Sequence, residues 1–106
     1  EFRLREAKRV VAPGTRLTPR EIVERIPSLE TLVRMWGLRL VRSAGPDGWA
    51  KCRAYDREDR NPSASINLRT GYYVDFATSE RWDLFGLGVV MGIYLTREDA
   101  MRDLAR

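Results

Sequence analysis

The 106-residue chain is long enough for one domain with a modest core, and too short for that core plus a large catalytic site. Histidine is absent and cysteine occurs once. That excludes an internal disulfide, removes the commonest general base and leaves too few soft donors for a structural zinc site. The net charge is +4, and of 19 basic residues only Lys8 and Lys51 are lysines. An arginine-dominated surface suits phosphate contact and stacking on bases, and a GC-rich genome produces the same composition. No apolar run approaches the roughly 20 residues of a membrane span and no signal-peptide pattern is present, so a cytoplasmic protein is expected.

The chain opens on Glu1-Phe2 without an initiator Met, which reads as a cloning scar on a fragment of a longer protein. Residues 1–17 form a basic leader, with Arg3, Arg5, Lys8, Arg9 and Arg16 before and after an Ala12-Pro13-Gly14-Thr15 loop signal. Residues 18–106 are read as the domain. Thr18-Pro19-Arg20-Glu21 predicts a helix start with a capping box, and Ile22, Val23 and Ile26 supply its apolar face. Ser28 opens a second helix carrying Leu29, Leu32, Val33 and Trp36 and ending at Gly37.

From Leu38 the period changes to two. Leu38–Arg42 and Trp49–Ala54 are predicted as an antiparallel pair around Ala44-Gly45-Pro46-Asp47-Gly48. Trp49, Lys51 and Arg53 then share the outer face, and Ala50, Cys52 and Ala54 the inner one. After a charged loop, Ser63–Leu68 alternates with Ala64, Ile66 and Leu68 inward and Ser63, Ser65 and Asn67 outward. A turn at Arg69-Thr70-Gly71 leads into Tyr72–Phe76, with Tyr72, Val74 and Phe76 on one face and Tyr73 and Asp75 on the other. Ala77–Arg81 is predicted as a loop. Asp83 and Thr96 then cap two closing helices. The expected fold is α+β, a small antiparallel sheet of about four strands with two N-terminal and two C-terminal packing helices.

The stretch Cys52-Arg53-Ala54-Tyr55, the Asn61-Pro62-Ser63-Ala64-Ser65 segment, Tyr73-Val74-Asp75-Phe76-Ala77-Thr78, Trp82-Asp83 and the closing Asp99-Ala100-Met101-Arg102-Asp103-Leu104-Ala105 occur in that order. Together they resemble the N-terminal zinc-ribbon domain of bacterial and phage DnaG-type primases. The resemblance implies ligand positions at Cys52, Tyr55, Asp75 and Thr78, of which only Cys52 keeps a zinc-binding side chain. A metal-free, zinc-ribbon-like fold is therefore expected, without cofactor, with Tyr55, Tyr72, Phe76 and Trp82 filling the vacated space.

That family's domain makes no phosphodiester bonds and helps bind single-stranded template for a separate catalytic domain. The same role is expected here, in a replication protein of a phage or mobile element. The partners implied are single-stranded DNA and a primase or polymerase catalytic domain or helicase. Lys51 and Arg53 lead the candidate DNA-binding residues, joined by Trp49, Arg57, Arg60, Ser63, Ser65, Tyr73 and Arg81, because single-strand binding needs cations along a track and aromatic faces for bases. No nucleophile–base pair or phosphate loop is legible, so the fragment alone is not expected to be an enzyme. The alternative is a module that docks a helicase or polymerase without touching DNA, through an apolar patch around Tyr72, Val74 and Trp82.

Overall fold

A computed structural model describes residues 17–106. The basic positions expected in the leader lie outside the described residues, while Leu17, at its end, packs against the core. Helix α1 (Pro19–Glu24) carries the full capping box: Thr18 Oγ1 accepts from Glu21 N at 3.2 Å, and Glu21 Oε1 accepts from Thr18 N at 2.8 Å. Ser28 caps α2 (Leu29–Met35), and Gly37, at φ +102°, turns the chain out of that helix.

Four antiparallel strands follow in sequential order: β1 (Trp49–Cys52), β2 (Ala64–Asn67), β3 (Tyr73–Asp75) and β4 (Arg81–Trp82). Helix α3 (Leu84–Val90) starts on an Asp83 cap, and α4 (Arg97–Leu104) on Thr96. Buried side chains of the helices, Ile22, Val23, Leu29, Val33, Leu84, Phe85, Leu87 and Ala100, form one cluster with Ala50, Cys52, Ala64, Ile66 and Tyr73 of the sheet. The α+β architecture is thus as expected, with the core on one face of the sheet.

The strands themselves differ from the prediction at both edges. Leu38–Arg42 is reduced to a bridge between Leu40 and Cys52, flanked by hydrogen bonds from Val41 N to Lys51 O and from Arg53 N to Arg39 O. Only Leu38 and Leu40 bring apolar side chains inward there, so little rewards longer pairing. At the other edge the predicted loop contributes β4. Ser79, at φ +68°, tightens the return, and Glu80 O accepts from Asp75 N at 2.9 Å.

The larger correction concerns β3. Tyr73, expected on the outer face as a base platform, is 0% exposed and opposite Ile66. Asp75 is likewise fully buried, whereas Tyr72 and Phe76, expected to fill the core, are 54% and 69% exposed. The loop between β2 and β3 explains the inversion. Asn67 pairs with Tyr72 through a 2.7 Å hydrogen bond, leaving a loop of residues 68–71, one residue longer than the predicted turn. One residue exchanges the two faces of a strand.

Asn67, also expected outward, is buried and builds this loop. Its Oδ1 accepts from Arg69 N and Thr70 N, and its Nδ2 donates to Asp47 O. Gly71 closes the loop at φ +83°, where a Cβ would sit 2.8 Å from Leu84 Cβ.

Candidate nucleic-acid interface

The register assembles the outer face in rows. Lys51 pairs with Ser65, Ser65 with Val74, and Val74 with Arg81. Three inter-strand steps of about 4.8 Å separate the two cations by about 14 Å. The row below runs from Arg53 toward Phe76, which donates its N–H to Ser63 O. Above, Trp49 lies opposite Asn67, 38% exposed. No strand position on this face is acidic. Among the described residues Lys51, Arg53 and Arg81 form no ion pair.

Of the predicted residues, Trp49, Lys51, Arg53, Ser65 and Arg81 therefore share one surface. Ser63 belongs to its lower edge, but its hydroxyl is already engaged, donating to Asp59 Oδ1 and accepting from Arg57. Arg60 is exposed in the loop beside Glu58, 3.8 Å away, and stands apart from the rows. Arg57 is taken up at the end of the sheet. Its guanidinium donates to both oxygens of Asp75, at 2.8 and 3.1 Å, to Ser63 Oγ at 2.9 Å and to Asp56 at 3.0 Å. Two donors on one carboxylate make this a fixed fork, which a phosphate would have to break.

Cys52, Tyr55, Asp75 and Thr78 meet at this end of the sheet. Cys52 and Asp75 both flank Ala64, the Tyr55 ring meets that of Tyr73 edge-on at 5.7 Å, and Thr78 N donates to Asp75 Oδ1 at 3.3 Å. The donor set does not fit zinc. Only Cys52 of the four carries a soft donor, and burial, with the carboxylates of Asp59 and Asp75 nearby, pushes its thiol up to about 12.

Asp75 is held below the ordinary carboxylate range by the Arg57 hydrogen bonds first, against its burial, with help from Ala77 N and Thr78 N. Asp59, at φ +53°, is lowered chiefly by Ser63 N and also accepts from Ala54 N at 2.9 Å. Arg57 rises in turn beside Asp75. Asp59 thus closes the 53–63 loop on itself, and the Arg57–Asp75 fork ties that loop to the β3–β4 hairpin. Tyr73 completes the filling, its hydroxyl accepting from Tyr55 N at 3.2 Å.

Sequence reasoning misses Phe76, which is expected inward and lies outward on the open face, and it misses the edge beside that face, where the bridge brings Arg39 and Val41 alongside Arg53 and Lys51. The signal for Phe76 is Asn67 itself: an Asn at a strand end can bond the N–H groups beyond it and so favours the longer loop. The apolar patch suggested for partner docking is not continuous. Val74 is 9% exposed, Trp82 packs against the core, and Tyr72 instead lines a cleft of about 540 Å³ with Pro19, Val23, Leu84 and Phe85.

Among the described residues no helix is long and apolar enough to cross a membrane. Comparison with protein-family models, with curated proteins and with solved structures returns no match to the chain.

Proposed function

We propose that the domain binds single-stranded nucleic acid on the open face of its sheet, as a non-catalytic, template-holding module of a primase or related replication protein. The observation that carries this reading is the face itself: Lys51, Arg53 and Arg81 around Ser65, aromatic side chains at Trp49 and Phe76, and no acidic strand position. Cations along a path draw the phosphates, and stacking on aromatic rings needs no base-pairing partner to be displaced. The meeting of Cys52, Tyr55, Asp75 and Thr78 at one end of the sheet supports the resemblance to the primase zinc-ribbon domain, with Arg57 supplying the positive charge that relatives draw from the metal.

Fluorescence anisotropy with labelled single- and double-stranded oligonucleotides at two salt concentrations tests the proposal. The expected result is preferential single-strand binding that weakens steeply with salt. Lys51→Ala combined with Arg53→Ala and Arg81→Ala should lower the affinity by at least about tenfold and flatten the salt dependence by about 0.7 for each phosphate no longer neutralised. No binding at low salt would sink the proposal. The second reading, docking of a replication partner without nucleic acid, would then rest on the cleft beside Tyr72.

A further inference from the structure

We infer that the edge of the sheet at residues 38–41 is a second phosphate seat, over which a bound single strand leaves the open face. The inference rests on the nucleic-acid reading of that face and adds a path to it. A groove of about 590 Å³ runs along this edge, lined by Arg34, Arg39 and Arg53 together with Leu38, Leu40 and Val41. Among the described residues no carboxylate lines it.

The bridge between Leu40 and Cys52, with Arg53 N donating to Arg39 O, puts Arg39 directly opposite Arg53. Like charges at facing positions destabilise a strand pair, and an anion between them removes that cost. Arg34 is anchored by Glu30, which accepts from its Nε at 3.1 Å. Its two terminal nitrogens have no partner among the described residues. A fork held at one corner is ordered for a phosphate at the other two.

The opposite edge is unlike this one. Arg81 and Trp82 of β4 lie between Glu80 and Asp83, and Asp83 is paired with Arg97. A polyanion crossing the sheet therefore meets Glu80 and Asp83 beside β4, and beyond β1 a groove lined by three arginines and, among the described residues, no carboxylate, with Glu30 paired to Arg34. The row that contains Arg39 and Arg53 also ends on exposed Phe76, which favours a stacked nucleic acid over an acidic peptide as the occupant.

The test uses labelled thymidine oligonucleotides of about 4, 8 and 16 nucleotides, the range of single-strand site sizes, with the Arg34→Ala/Arg39→Ala variant. Its folding is checked by thermal melting, and Arg39→Gln serves as a milder second variant. The shortest oligonucleotide should bind variant and parent alike. The longest should lose about tenfold or more in affinity, with the salt slope smaller by about 0.7 for each phosphate left without its cation. The reference variant Lys51→Ala/Arg81→Ala, with its groove intact, should weaken every length.

Equal affinity of the groove variant and parent at every length would overturn the exit path and leave the open face standing. Equal loss at every length would also overturn it, by making these arginines part of the primary face. A polyglutamate peptide that competes as well as an oligonucleotide of equal charge would overturn it in favour of an acidic protein partner. Failure of the parent to bind any oligonucleotide would remove both proposals together.

Discussion

Arg53 and Arg57 are four residues apart, and the sheet gives them opposite fates. Arg57 folds over the inner end of the sheet, where buried Asp75 takes two of its hydrogen bonds and Ser63 and Asp56 take others. Arg53 stands on the open face opposite Arg39, with no ion pair among the described residues. The first arrangement uses charge to hold a loop. The second leaves charge unneutralised where solvent and a ligand can reach it. Arginine content alone does not separate the two uses; the position of the nearest carboxylate does.

The largest effect should come from breaking the inner face. Tyr73→Ala removes a fully buried ring and the acceptor for Tyr55 N, at a cost of about 3–5 kcal/mol. Thermal melting should then register a drop of about 12 °C or more. A surface-like response, within about 0.5 kcal/mol, would mean that Tyr73 points outward after all.

The matching change on the open face should leave stability nearly untouched. Trp49→Ala should cost about 1–3 kcal/mol of single-strand affinity if a base stacks there. Unchanged affinity with a lowered melting temperature would reassign Trp49 to packing.

Acid titration gives the smallest but most specific signal. Asp75 has a depressed folded-state value relative to about 3.9 in the unfolded chain. Its contribution is therefore complete above that unfolded value and is lost as pH falls through the lower, folded one. Asp75→Asn should be less stable than the parent at neutral pH, and its stability should depend less on pH in acid, by about one proton taken up on unfolding. Asp59 and Asp83, also depressed, keep part of the dependence in both proteins. Parallel curves for the two proteins would show that Asp75 does not hold the loop as a carboxylate.

Local chemistry is legible wherever a few neighbouring residues settle a structure. The Thr18, Ser28, Asp83 and Thr96 caps all accept the expected N–H, because a cap needs only a side-chain oxygen and a donor three residues on. The outward placement of Trp49, Lys51 and Ser65 also follows from alternation, and the structure agrees. Face assignment in β3 fails because alternation defines two faces without saying which one is buried. Apolar content favours Tyr72, Val74 and Phe76 as the inner set; the 68–71 loop leaves Tyr72 and Phe76 exposed and moves Val74 to the row of Ser65 and Arg81, where it is nonetheless buried.

By itself, then, the sequence determined the helix starts, the period-two stretches, the positive charge and the scarcity of zinc-binding side chains, since each depends on residue type and short-range spacing. Tertiary structure alone decided that Arg57 belongs to Asp75, that Tyr73 fills the core, and that Arg39 faces Arg53 at the edge. Those outcomes join residues 14 to 18 positions apart, and the strand register that brings them together is set by loop length and burial summed over the whole sheet.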